Sequence, residues 1–523
     1  MRQRVSHSAA SDPKGLGATR LDGMTPVTPK SAAPSWARDA VFYQVFPDRF
    51  ASSPRVPDPG PMEPWDARPT LHGFKGGDLL GLAARLDELV DLGITGLYLN
   101  PIFTAASNHR YNTYDFMAVD PLLGGDAALR ELLDSAHERG IRVILDGVFN
   151  HAGRGFWPFQ HVIESGGASP YRDWFYLDDD VLDGRRGVLV DEHLCSEPGT
   201  RGYRSWWDVP GLPKLRVEHP PVREYLMQVV EHWTRFGIDG WRLDVPQDIE
   251  DPTFWPEFRA RVRAINPEAY LVGEIWVDAP DWLTGERFDA LMNYPLAMAV
   301  LGFVGGPHLD HGLAAAQQNY RDNLVELDGQ GFADALIRNL TVNRPEATAV
   351  QFNLLGSHDA PRAMSVMGED AVRLRIATLL QLSLPGTPSI YYGDELAMSG
   401  GPDPDCRRSF PERLADAGEA ALEHRAYVRS AIAARREDIA LRRGDVSVIG
   451  AAGRAVALSR EANGRRGVIV VNAGDDAASL ELGRAPLAGL GERQGLTIGR
   501  IAIDQDRGVV TLEPRSAAVL LGD

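Results

Sequence analysis

From residue 40 onward, short apolar runs alternate with longer, helically spaced stretches until eight such runs have passed. The runs are "AVFYQVFP" (40–47), "GITGLYLNP" (93–101), "IRVILDGVFN" (141–150), "IDGWRLDV" (238–245), "AYLVGEIW" (269–276), "FDALMNY" (288–294), "AVQFNLLGSHD" (349–359) and "GTPSIYYGDE" (386–395). Short apolar runs bounded by turn residues read as strands covered on both faces. Between them, "DLLGLAARLDELVDLG" sets Leu79, Leu82, Leu86 and Leu89 on one face of a helix, and "DAALRELLDSAHERG" reads as another. Strand–helix alternation predicts a parallel sheet, and eight strands is the number that closes a (β/α)8 TIM barrel. The expected class is therefore α/β.

The third gap is too long for one helix. Residues 151–214 carry Gly, Asp, Arg and aromatic clusters without helical period and read as a subdomain B inserted after strand three. From 438 to 523 the text changes to short β-like runs such as "AVALSREA" and "RGVIVVNAG", which predicts a C-terminal antiparallel β-sandwich domain. The barrel then occupies 38–150 and 215–437. Residues 1–37 are rich in Ser, Pro, Ala and Thr, with no apolar segment behind the basic residues, and read as a disordered leader rather than a secretory signal. The longest apolar span, "ALMNYPLAMAVLGFVGG", is broken by Asn293, Pro295 and glycines, so it reads as a buried strand running into a helix and not as a membrane span. Acidic residues outnumber basic ones by 72 to 54, which argues against nucleic acid or an anionic membrane as the partner. Cys195 and Cys406 have neither disulfide nor zinc spacing and fit two thiols of a reducing cytoplasm.

In such a barrel the site lies at the C-terminal ends of the strands. Asp146, Asp244, Glu274 and Asp359 all fall there. One strand-end Asp is often a helix cap; four carboxylates together ask for another reason. In "IDGWRLDVP", Arg242 and Asp244 stand at i and i+2, on one face of a strand. The guanidinium is expected to lower the Asp244 pKa by roughly one to three units and keep it ionised, as a nucleophile must be. Glu274, among Val272, Ile275 and Trp276, is expected to be raised and to act as general acid. Two carboxylates in unlike settings are the equipment of glycoside hydrolysis. His151 and His358, on the same rim, suit hydrogen bonds to substrate hydroxyls.

"DGVFNH" (146–151), "GWRLDV" (240–245), "VGEIW" (272–276) and "GSHD" (356–359), in this order, resemble the four short regions of the α-amylase family of glycoside hydrolases. "HRYNTYDF" (109–116), "GLPKL" (211–215), "GTPSIYYGDE" (386–395) and "GGPDPDCRR" (400–408) extend the resemblance toward the cyclomaltodextrinase, neopullulanase, maltogenic amylase and maltodextrin glucosidase group. The resemblance implies Asp244 as nucleophile, Glu274 as acid/base and Asp359 as the third carboxylate. It further implies Tyr111 as a stacking platform for the glucose at the cleavage point. His109, Asp146, His151, Arg242 and His358 would surround that sugar, and Asp403 with Arg407 would hold the non-reducing end. Trp276 would line the leaving-group side and Lys214 would contact sugar beyond the bond.

The implied activity is retaining hydrolysis of α-1,4 bonds in maltodextrins, cyclodextrins or pullulan, with α-1,6 cleavage an open alternative. A glucosyl transferase or isomerase and an exo-acting α-glucosidase are rivals on the same site. A non-catalytic scaffold is disfavoured by the presence of all three carboxylates. The sequence departs from the group at Asn112, Arg216, Pro246, Gln247 and Val277, positions that shape the acceptor side, so linkage preference stays open. No cofactor is implied. The segment "ASSPRVPDPG" lacks the Asn- and Asp-rich loop that binds calcium in many relatives, so a structural calcium has no support in the residues. About 38 residues precede the first strand, too few for the N-terminal β domain through which many members dimerise, and a monomer is expected.

Overall fold

A computed structural model describes residues 33–188 and 201–522. Most of the expected leader, and Cys195, lie outside the described residues. The end of that leader is ordered: Ser35–Asp39 forms a 3-10 turn that buries Ala37, and the Trp36 indole donates to the Glu268 carbonyl at 2.9 Å.

The eight strands are β1 (Phe42–Val45), β2 (Gly96–Leu99), β3 (Arg142–Gly147), β4 (Gly240–Leu243), β5 (Tyr270–Gly273), β6 (Ala290–Leu291), β7 (Phe352–Asn353) and β8 (Thr387–Tyr391). They pair in parallel from β1 through β6, and β1 also pairs with β8, which pairs with β7. A parallel bridge between Met292 and Phe352 joins β6 to β7 and closes the barrel. Each strand lies inside its expected run. β6 and β7 shrink to two residues each because their runs turn at once into site-building loops. Gly240 is required by this packing, since a Cβ there would lie 2.0 Å from the Tyr270 carbonyl oxygen.

The outer helices bury their apolar faces on the barrel. Leu79, Leu82, Leu86 and Leu89 are all buried, but the expected single helix is two, Leu79–Ala84 and Leu86–Leu92. The break falls at Arg85, whose guanidinium turns to Glu88 and to the Pro411 carbonyl. The apolar span after β6 becomes the buried helix Tyr294–Gly305, started by Asn293, which accepts the Leu296 N–H. Among the described residues no helix is long and apolar enough to cross a membrane.

After the helix Ile439–Arg443 the strands Asp445–Ala452, Ala455–Ala462, Arg465–Asn472, Leu490–Ile498 and Ser516–Gly522 form one antiparallel sheet. Ala478–Glu481, Ile501–Asp504 and Val509–Leu512 form a second, and Val468, Val470, Leu480, Val510, Leu512 and Leu520 fill the core of this region. Arg373 ties this region to the barrel by donating to the carbonyls of Val304 and Ala473 and pairing with Asp475 at 2.8 Å.

Candidate active site

The register of the barrel assembles the charged centre. β3 and β4 pair so that Asp146 is the partner of Arg242. Arg242 has no exposed surface, yet it is saturated with acids: Nη1 lies 2.7 Å from Asp146 and 3.1 Å from Asp244, and Nη2 lies 2.9 Å from Glu274. Its guanidinium is also flanked by the rings of Tyr98 and Tyr111, at 5.9 and 6.0 Å. A buried cation is costly unless it is paired in this way.

Asp244 directly follows β4, and Glu274 directly follows β5. Glu274 is held on both oxygens: the Val245 N–H donates to Oε2 at 3.2 Å and the Trp276 indole to Oε1 at 3.2 Å. Val245 reaches Glu274 from a left-handed backbone, φ 33°, a strained state for a β-branched residue. Trp276 lies flat on Tyr294, with ring centroids 3.5 Å apart, which fixes its indole beside the acid.

The expectation for Asp244 needs correction. Burial pushes its pKa well up, and although Arg242 lowers it, the Glu274, Asp146 and Asp359 carboxylates raise it further. Asp359 is pushed up to about 7, first by burial and then by Glu274. Burial and the neighbouring carboxylates together outweigh the single guanidinium, so the expected lowering of Asp244 is reversed.

Asp146 lies beneath the cleft. Its oxygens accept from Tyr98 and Tyr111 hydroxyls and from Arg242, each at 2.7 Å, so it positions these groups from below. His358 accepts from the Gln44 amide at Nδ1, 2.9 Å, which leaves Nε2–H to reach the Tyr111 hydroxyl at 2.6 Å and Asp359 at 3.0 Å. The His358 and Tyr111 rings are parallel within 2°. Burial, with Arg407 and Arg242 nearby, drives the His358 pKa far down, so the ring is neutral. His109 and His151 are lowered as well, to about 3 and about 4, chiefly by burial. His109 accepts the Tyr111 N–H at Nδ1, and His151 Nε2 donates to the Tyr111 carbonyl at 3.1 Å.

Arg407 bridges Asp403, at 2.9 Å, and Asp359, at 3.3 Å, while its Nε donates to the His358 carbonyl. Lys214 is buried and donates to the Asp248 carbonyl, on the subdomain side of the cleft. Beside it His151 stacks on Trp206, which stacks on Trp207. Thus eleven of the thirteen residues singled out in the sequence meet directly or through one neighbour around Tyr111 and Arg242; Asp403 joins at one remove through Arg407, and Lys214 through the Trp206–Asp248 contact and a backbone bridge to His151. Sequence reasoning missed Gln44, Tyr98, Asn100 and Tyr294. Gln44 and Asn100 orient His358 and Tyr111, and the signal was available: a Gln in the centre of an apolar run and an Asn at the end of another. Among the described residues no group of three or more His, Cys, Asp or Glu side chains is placed to hold a metal ion.

Comparison with known proteins points to one family. The family model described as "Alpha amylase, catalytic domain" matches residues 44–443. A cyclomaltodextrinase of Geobacillus thermopakistaniensis is 43% identical over 80% of this chain and 66% of its own length. Neopullulanase 2 of Thermoactinomyces vulgaris is 42% identical over 72% of this chain and 59% of its own length. The chain thus spans about three-fifths to two-thirds of these curated relatives. The native-form structure of a Nostoc punctiforme debranching enzyme is 40% identical, covers 94% of this chain and 99% of its own, and superposes with a TM-score of 0.82. With the barrel, the strand-end carboxylates and a family match across most of its length, this chain belongs to the alpha-amylase family.

Proposed function

We propose that the protein is a retaining α-glucan hydrolase acting on the α-1,4 bonds, and also the α-1,6 bonds, of maltodextrins, cyclodextrins or pullulan. The observation that carries this reading is one buried guanidinium with Asp244 on one nitrogen and Glu274 on the other. In this reading Asp244 acts as the nucleophile in its carboxylate form and Glu274 as the proton donor. Asp244 attacks the anomeric carbon while Glu274 gives its proton to the leaving oxygen, forming a glucosyl-Asp244 intermediate. Glu274 then takes a proton from water, whose oxygen displaces Asp244. Trp276, bonded to Glu274, fits the leaving-group side; Tyr111 offers its ring to the apolar face of the reacting glucose. Asp359 and Arg407 would hold that sugar's hydroxyls. The full-length similarity to a debranching enzyme favours including α-1,6 bonds. A cytoplasmic location belongs to the same reading and is supported by Cys406, a buried free thiol.

Proton NMR of the first product tests the mechanism: the α-anomer is expected, and initial β-anomer refutes it. Asp244→Ala should abolish turnover. Glu274→Ala should lose activity on sugars but keep more on substrates with a very acidic leaving group. Side-by-side products from maltotriose, pullulan, a cyclodextrin and starch, with and without added glucose, separate hydrolysis from transfer and α-1,4 from α-1,6 cleavage.

A further inference from the structure

On the catalytic face, between the segment after β1 and the segment after β8, lies a cavity of about 800 Å3 that none of the site residues lines. Its wall carries Trp65, whose indole donates to the Phe410 carbonyl at 2.7 Å. Phe410 is itself immobilised: its N–H donates to the Arg49 carbonyl, its ring stacks on Phe50 at 4.8 Å, and the Arg85 guanidinium lies over it at 4.7 Å. The Trp65 ring is therefore pinned by its edge. Among the described residues it makes no ring stack and lies under no cation, so the fixed ring is left without an aromatic partner.

Around it stand Asp66, Arg68 and Glu412, which line the same cavity; Arg68 acts on Asp405 and Glu412 on Arg413 through space, and among the described residues none of the three is drawn into a close ion pair. Single unpaired surface charges are ordinary. Here two acceptors and one donor border one fixed indole and one cavity of ligand size. The signs are mixed, with Arg68 and Arg408 against Asp66, Glu412 and Asp416, so the cavity suits neither an anion nor a cation. An apolar ring bordered by separate donors and acceptors matches a sugar, which has an apolar C–H face and a rim of hydroxyls.

We propose that this cavity is a second, non-catalytic binding site for a neutral α-glucan segment; the choice of glucan rests on the function proposed above. The site adjoins the catalytic cleft through one loop. Arg407 turns inward to Asp403 and Asp359, while the next residue, Arg408, turns to Asp405 and lines the cavity. A long chain held at Trp65 would be kept near the cleft, and a trisaccharide in the cleft would gain nothing from it.

The test uses the full chain. Asp244→Ala, which stops turnover, is titrated calorimetrically with maltohexaose. Two binding events are expected, and Asp244→Ala/Trp65→Ala should retain only the event at the cleft. In the active chain, Trp65→Ala should leave kcat/KM on maltotriose unchanged and raise KM on amylose roughly three- to tenfold, the size expected for one lost ring contact. Trp65→Phe should recover part of that loss. A single event in both titrated chains overturns the proposal. So does an equal loss on maltotriose and amylose, which would make Trp65 a prop for the loop at 403–410. Failure of the catalytic reading shows separately, as no turnover of maltotriose by the unsubstituted chain.

Discussion

Arg242 sets the demands on every residue near it. It is wholly buried and shared by three carboxylates, so its fork of donors matters as much as its charge. Lysine keeps the charge but cannot reach Asp146, Asp244 and Glu274 together. Arg242→Lys should cost about 3 kcal/mol in a urea melt, the lower end for breaking a buried pair, and lower kcat/KM by about a hundredfold or more. Asp359 carries the opposite lesson. Its folded pKa, about 7, lies above the value of about 4 in an unfolded chain. The native state therefore holds a proton that the unfolded chain releases over this window. That contribution to stability is present below about pH 4 and is lost as pH rises through about 7. Asp359→Asn cannot suffer the loss. Its Tm should exceed that of the unsubstituted chain at pH 8, with the gap closing toward pH 4.5, while activity falls. A gap independent of pH would contradict the assignment.

At the scale of elements, the loops after β4 and β8 do the positioning. The turn at Val245 accepts backbone strain and delivers its N–H to Glu274. The segment 403–410 folds Arg407 back onto Asp403, Asp359 and the His358 carbonyl, and so closes one end of the cleft. If that end receives the terminal glucose, short substrates depend on it most. Arg407→Ala should raise KM for maltotriose more than for starch in initial-rate assays. Equal changes would reduce the Asp403–Arg407 pair to a loop-closing ion bridge.

Over the whole molecule, two populations of carboxylates pull against each other. Asp91 is held low by Arg425 and Arg429. Burial opposes ionisation of Asp239 and Asp370, but His137 and Arg142 at the first, and Arg515 and two N–H donors at the second, outweigh it and hold both low. These groups contribute stability above their unfolded pKa, lost as pH falls through their lower folded values. Asp394 and Glu395, just after β8, are raised by burial to about 6 and about 7. Their contribution is lost as pH rises through that range. The Tm should therefore peak on the acid side of neutrality, at roughly pH 5–6. A maximum above pH 8 in calorimetric scans would show that the buried pair next to β8 does not carry this weight.

The alternation of short apolar runs with amphipathic stretches was enough to specify eight barrel strands, because burial on both faces leaves a pattern that any eight such strands must carry. The parity of a strand was enough to set Arg242 beside Asp244, and the strand ends to bring the carboxylates to one rim. These are local rules, satisfied within a few residues. What only the tertiary structure decided depends on segments far apart in the chain. Asp146 and Arg242 are separated by 96 positions, yet their contact turns a candidate sugar ligand into a support beneath the cleft. The pKa of Asp244 was misjudged from its neighbour at i−2, since burial and three other carboxylates from β3, β5 and β7 act on it at once. The helix expected at 78–93 breaks at Arg85, whose backbone leaves the helical region at φ −107°, ψ 7°, while its guanidinium reaches the Pro411 carbonyl, 326 positions away. Periodicity counts apolar side chains along one segment; the sign of a buried charge's pKa and the partner of a guanidinium are sums over everything that packs around them.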